Sequence, residues 1–225
     1  MKKYILIIAA ILISYNGFTQ ETGEKKLGAW YTFVGSHKIS NKVSITTLGQ
    51  LRLYKAADNF QLGLAWASVN YKFNPKLTGS FGYMRLKIDK TFEELAEENY
   101  INENRLFEQI IFTDKIGKVN IKHRYMLEHR FLDLGSKTDF QQRMRYRLQF
   151  IIPLSKKIFI NAFDEIILNL QGNLFSQNRL SGALGYKFNK NLNLQMGYLK
   201  QSFQTKAFDR LQVGVFLKTD FSKKK

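Results

Sequence analysis

Residues 119–131, VNIKHRYMLEHRF, and 140–150, FQQRMRYRLQF, set apolar and polar side chains on alternate positions. A period of two is that of a β-strand, whose successive side chains point to opposite faces. In the first stretch Val119, Ile121, Tyr125, Leu127 and Phe131 share one face, and Lys122, Arg124, Glu128 and Arg130 share the other. In the second, Phe140, Met144, Tyr146, Leu148 and Phe150 oppose Gln141, Arg143, Arg145, Arg147 and Gln149. Neighbouring strands of this kind present an arginine ladder to one interior. A slip of one residue would carry arginines to the apolar side, at about 2–4 kcal/mol each near the middle of a bilayer, so the register is strongly specified.

The same alternation recurs in VSITTLGQLRLY (43–54) and RLQVGVFLK (210–218). It predicts strands near 27–36, 42–54, 59–73, 77–88, 103–114, 118–132, 139–152, 157–168, 178–188, 192–202 and 208–219. Turn chemistry separates them at Ser40-Asn41, Ala57-Asp58-Asn59, Asn74-Pro75-Lys76, Gly135-Ser136 and Asn189-Lys190-Asn191. Segments of about ten alternating residues are the pattern of an antiparallel transmembrane β-barrel. The length suits ten to twelve strands in an all-β domain over 20–225. Because bacterial single-chain barrels have even strand numbers, the eleven segments favour twelve over ten and leave the orientation open. Thr91–Asn102, TFEELAEENYIN, breaks the pattern. Phe92, Leu95 and Ala96 are spaced as on a short helix, in what reads as an exposed acidic loop with room for one more weak strand.

An echo reinforces the hairpin reading. YKFNPKLTGSFGY (71–83) and YKFNKNLNLQMGY (186–198) keep their aromatic, turn and Gly-Tyr positions in step, as interfacial aromatic girdles require. Both prolines, Pro75 and Pro153, fall at predicted turns, where a missing N–H breaks no ladder.

Export is legible at the N-terminus. Lys2 and Lys3 precede the apolar run Tyr4–Ile13, and Gly17-Phe18-Thr19 offers a cleavage site. This predicts a cleaved signal peptide over 1–19, since ten apolar residues are too short for a helix to span roughly 30 Å of hydrocarbon. No cysteine is present, which excludes an acylated N-terminal cysteine, a disulfide and a thiolate metal site.

With 35 Lys and Arg against 18 Asp and Glu, the formal charge is +17. In an exported barrel this points away from nucleic acid and toward the phosphates of outer-membrane lipid and lipopolysaccharide. The predicted lumen network comprises Arg52, Lys122, Arg124, Glu128, Arg130, Arg143, Arg145, Arg147, Glu165, Arg179 and Arg210. Asn161, Ser181, Gln195 and Gln212 share its side, and Leu211, Val213, Val215 and Leu217 suit lipid.

Catalytic patterns are scarce. His37 reads as a turn residue, and His123 and His129 fall on the apolar parity, away from Glu128. Glu103, Glu108, Asp114, Asp139 and Asp164 have no evident partner, and the facing of 105–113 is undecided. No metal-ligand or cofactor motif is present, so neither catalytic residues nor a cofactor is assigned.

In order and spacing, LGAWYTFVGSHKISNKVSITTLGQLRLY (27–54), HRYMLEHRF (123–131), RMRYRLQF (143–150), FDEIILNL (163–170) and NRLSGALGYKFNKNLNLQMGYLKQ (178–201) resemble the outer-membrane family called domain of unknown function 2490. That family occurs in Bacteroidetes and other Gram-negative bacteria. The resemblance spans essentially the whole mature chain and implies an outer-membrane β-barrel. It supplies no catalytic residues. The chain departs from barrels that end on an aromatic residue, because Ser222 and three lysines follow Phe221.

The expected protein is therefore a monomeric outer-membrane barrel, either structural or a narrow anion-favouring pore for small solutes. A lipid-modifying enzyme of phospholipase or deacylase type and a soluble periplasmic ligand-binding barrel are the alternatives.

Overall fold

The computed structural model describes residues 23–93 and 100–222. The expected signal peptide lies outside the described residues, as do positions 94–99 of the acidic stretch. A single 3₁₀ turn, Gly23–Lys25, precedes eleven strands. These are β1 (Gly28–Lys38), β2 (Val43–Leu53), β3 (Phe60–Lys72), β4 (Leu77–Ile88), β5 (Ile101–Ile116), β6 (Val119–Asp133), β7 (Thr138–Pro153), β8 (Ile158–Asn169), β9 (Phe175–Lys187), β10 (Leu192–Ser202) and β11 (Ala207–Asp220).

Each strand pairs antiparallel with its neighbour in sequence, and β11 closes the barrel against β1. That last ladder is parallel, from Gly28 opposite Arg210 to Lys38 opposite Asp220. The barrel is thus mixed rather than antiparallel throughout, and its eleven strands among the described residues fall within the ten to twelve expected, though not on the favoured even number. The cause is geometric. Strands that alternate up and down return after an odd number with first and last running the same way, and only a parallel ladder can then remove both edges.

The connections differ between the two ends. After odd-numbered strands the chain turns at 39–42, 73–76, 117–118, 154–157 and 188–191. Side chains close these turns. Asn74 Oδ1 accepts from the backbone N–H groups of Lys76 and Leu77, each at 2.9 Å. In the echoed segment Asn189 Oδ1 does the same for Asn191 and Leu192, at 2.8 and 2.9 Å. Ser40 and Ser155 cap two further turns through their hydroxyls. The two-residue turn places Gly117 at φ +58°, a conformation that costs a glycine little. The opposite end carries 54–59, 89–100, 134–137, 170–174 and 203–206, and is called here the long-loop end.

Outward positions are apolar over much of the circumference. Phe81 and Leu180 are about 60 % exposed, and Leu184, Ile110 and Met196 are more than half exposed. Tyr71 packs edge-on against Phe73, and Tyr186 against Phe188, both at 5.1 Å near the short-turn end. Nearer the other end the hydroxyls of Tyr31, Tyr83 and Tyr198 donate to Ala56 O, Asn104 Oδ1 and Asp209 Oδ1.

The inner surface is not polar all round. Leu62, Met84, Leu86, Phe107 and Met126 form a buried cluster backed by Leu64, Trp66 and Ile88, which makes the inner face of β3 and β4 apolar toward the long-loop end. Phe107 reaches this wall because Gly82 leaves room for its ring: a Cβ at Gly82 would lie 2.4 Å from Phe107 Cζ. The expected polar, arginine-rich interior therefore has a second, apolar side. Glycines on alternate positions vacate space that aromatic rings fill, a device for curving and filling a sheet.

Candidate functional site

Register places Arg52, Arg124, Glu128, Arg130, Arg143, Arg145, Arg147, Glu165 and Arg179 on inward positions, and all but the wholly buried Glu165 border one interior cavity of about 660 Å³. Lys122 faces inward closer to the short-turn end, beside Arg124, Arg147 and Gln149. Arg210 also takes the inward parity of β11 but is wholly buried. Each of these positions falls on the side that alternation assigns it, because a pleated strand leaves no other choice once one residue is fixed.

The structure adds two members that the sequence left unassigned. Glu103 and Arg105, on β5, point inward and are buried. Glu103 receives paired hydrogen bonds from Arg105, at 2.6 and 3.0 Å, and from Arg130, at 2.6 and 2.9 Å. Arg105 extends its third nitrogen to Glu128 at 3.3 Å, and Arg145 meets the same carboxylate at 2.6 Å. Arg145 then reaches both oxygens of Glu165 at 2.9 Å. Arg124, Arg147 and Arg179 converge on Glu165 as well. Six arginines and three glutamates thus form one chain of ion pairs across β5–β9, bidentate where Arg105 and Arg130 meet Glu103. Bidentate guanidinium–carboxylate geometry gives such pairs direction as well as strength. A signal for Glu103 was present in its alternation with Arg105 and Phe107, masked by the apolar residues that occupy both faces of β5.

Three inward-facing arginines stand outside that chain, with no carboxylate in ion-pair range among the described residues. Arg52 donates through Nε to Gln50 Oε1 at 2.6 Å, and its guanidinium lies 3.9 Å above the Trp30 ring. Arg143 donates to Asn169 Oδ1 at 3.1 Å. Arg210 has no hydrogen-bond partner among the described residues for any of its three nitrogens. It is held by ring faces instead, 4.6 Å from Phe208 and 5.9 Å from Tyr54. Gly28 makes that position accessible, since a Cβ there would stand 2.1 Å from Arg210 Nη1.

Above Arg210 the long-loop end is partly roofed. Tyr54 meets Phe92 edge-on at 5.8 Å, and its hydroxyl donates to Asp89 O. Burial pushes the Tyr54 phenol up, so it remains a neutral donor. Asn59 Nδ2 donates to Phe92 O at 2.7 Å. Phe92, near the start of the acidic stretch, is thereby packed onto the barrel mouth, while its neighbours Thr91 and Glu93 are exposed.

The remaining carboxylates sit on the outside or at the rims. Asp114 pairs with Lys76, Asp139 accepts from Gln141, and Asp164 from Asn178. His129 lies outward, as expected, with Glu108 Oε1 3.1 Å from Nε2 and the Gln142 amide donating to Nδ1 at 3.0 Å. Both ring nitrogens are thereby engaged, which leaves neither to take a proton from a nucleophile. His37 lies on β1, not in a turn, between the hydroxyls of Thr219 and Thr47. The ladder draws it there by extending two residues beyond the expected end of that strand.

No helix among the described residues is long and apolar enough to cross a membrane. The arrangement is a closed sheet with an apolar outside and, inside, a cationic wall facing an apolar one across a cavity. No curated protein matches the chain. The family described as Protein of unknown function (DUF2490) matches residues 27–212, from the residue before β1 into β11, and the chain belongs to that family.

Proposed function

We propose that this protein is an outer-membrane barrel whose arginine-walled lumen admits small anions. The observation that carries the reading is the surplus of guanidinium over carboxylate around an open cavity, with Arg52 and Arg143 facing it and no carboxylate paired to either among the described residues. Rings of basic side chains favour anions, because the field of uncompensated cations inside a low-dielectric wall lowers the energy of an entering negative charge. Eleven strands enclose more than an eight-stranded barrel, whose side chains fill its interior, and less than a porin.

Placement in the outer membrane draws on the outer surface and on the export signal read in the sequence. Soluble monomers rarely expose contiguous apolar patches beyond a few hundred Å², whereas a lipid-facing band flanked by aromatic residues is what a bilayer requires. Arg85, Lys87 and Lys200, outward near the long-loop end, suit the phosphates of lipopolysaccharide.

Planar-bilayer recording tests the proposal. Unitary conductance with a reversal potential shifted toward the chloride equilibrium is the expected result. Silence from refolded barrel would overturn it and favour a filled, structural barrel, the reading supported by the four arginines that clamp Glu165 across the lumen.

A further inference from the structure

The cavity has one wall of arginine and another of hydrocarbon, and an inorganic anion would use only the first. We infer that it holds an amphipathic organic anion of the fatty-acid class, its carboxylate on Arg52 and its tail along the half-buried Leu64 and Trp66, which the buried Met84 and Leu86 back. The inference rests on the anion-admitting reading above and names the ligand.

Arg52 is the natural head-group partner. Its Nε is committed to Gln50, while Nη1 and Nη2 have no hydrogen-bond partner among the described residues and belong to a residue that borders the cavity. Two parallel N–H groups at the end of a guanidinium match the two oxygens of a carboxylate. Arg179 stands 5.2 Å from the same Trp30 ring that Arg52 covers at 3.9 Å. Its contact with Glu165 is 3.4 Å, on a carboxylate already shared with three other arginines. Two cations therefore converge on one indole with little negative charge to separate them, and an anion placed there relieves their repulsion.

The tail follows from register. Arg52 lies opposite Leu62, Gln50 opposite Leu64, and Leu48 opposite Trp66. On the next strand Leu64 faces Leu86 and Trp66 faces Met84. The surface changes from charged to apolar within one strand spacing, about 4.8 Å. These side chains border the same 660 Å³ space as Arg52, a volume within the roughly 300–1,000 Å³ typical of small-molecule sites. A neutral lipid would leave Arg52 unpaired, and phosphate would leave the hydrocarbon wall facing water.

Trp30 and Trp66 are the only tryptophans in the chain, and both border the cavity. Indole emission therefore reports on the lumen. The full folded chain in lipid nanodiscs is titrated with undecanoic acid brominated at its tail, since bromine quenches indole on contact. Saturable quenching is expected, with the methyl ester of the same acid quenching little at equal membrane loading. Unbrominated decanoate should reverse the quenching and inorganic phosphate should not. Arg52→Gln should weaken the apparent affinity by about tenfold or more, the loss of a charged hydrogen-bonding partner. Equal quenching by acid and ester, equal displacement by phosphate, or no saturation would overturn the inference. The acid–ester comparison is made on the unaltered chain, so it holds if Arg52→Gln fails to fold. Reversal potentials from the same preparation separate the two readings. Anion preference without saturable quenching removes the ligand and keeps the pore, and saturable quenching without anion preference does the reverse.

Discussion

Arg145 and Glu165 meet across β7 and β8, with Arg145 Nη2 shared between the two carboxylate oxygens at 2.9 Å each and Glu165 wholly buried. The other end of the same guanidinium holds Glu128 at 2.6 Å. One side chain thereby links the ion pairs of β5 and β6 to those of β8 and β9. Through it the charged wall behaves as a single cross-brace rather than as separate bridges.

Neutralising the centre of that brace should be costly. Glu165→Gln leaves four arginines facing an amide, and breaking a buried pair from one side costs about 3–5 kcal/mol. The urea midpoint of the refolded barrel, followed by far-ultraviolet circular dichroism, should fall accordingly. Asp114→Asn, which removes the exposed bridge to Lys76, should cost no more than about 1 kcal/mol. Equal losses would show that the brace does not hold the barrel.

A second prediction concerns fit. A Cβ at Gly185 would stand 2.1 Å from Phe159 Cζ, so Gly185→Ala must displace a buried ring. Overpacking of this kind costs about 1–3 kcal/mol. Adding Phe159→Leu should restore part of the loss. Strict additivity of the two changes in the same urea titration would argue against the contact.

The outer face supplies a test of surroundings. Leu180 points outward from the middle of β9 and is 59 % exposed. In a bilayer Leu180→Arg should destabilise by about 2–4 kcal/mol, whereas a water-facing position would tolerate it within about 0.5 kcal/mol. Refolding into liposomes against denaturant measures the difference, and a neutral result would contradict membrane insertion.

The parallel seam can be trapped chemically. The native chain has no cysteine, so Phe33→Cys with Val215→Cys, partners in the β1–β11 register, gives an unambiguous pair. A short bismaleimide should join them in high yield. Phe33→Cys with Leu211→Cys, four residues out of register, should react far less. Comparable yields would mean that the barrel does not close in this way.

Much of the fold was open to reading in the chain itself. The predicted strand boundaries lie within three residues of those observed, and turn residues such as Asn74 and Asn189 do the capping that their positions suggested. The echoed segments 71–83 and 186–198 form matching hairpins with the same side-chain turn and the same edge-on aromatic pair. Less was legible where local pattern carries no information on partners. Glu103 looked solitary because Arg105 and Phe107 share its face while Leu106 and Ile110 occupy the other, so that β5 is apolar on both sides. The apolar wall escaped notice because Leu62, Leu64 and Trp66 alternate with glycine and alanine, and small residues give no polar face to contrast with a large apolar one.

Alternation alone determined which side chains point in and which point out, since a pleated strand offers only two directions and arginine and leucine do not exchange places. Closure belongs to the whole ring. Whether eleven strands leave an edge or seal it, which carboxylate lies among which guanidiniums, and where charge gives way to hydrocarbon all depend on contacts between strands far apart in sequence. Those contacts form only when every ladder has taken its register and β11 has met β1.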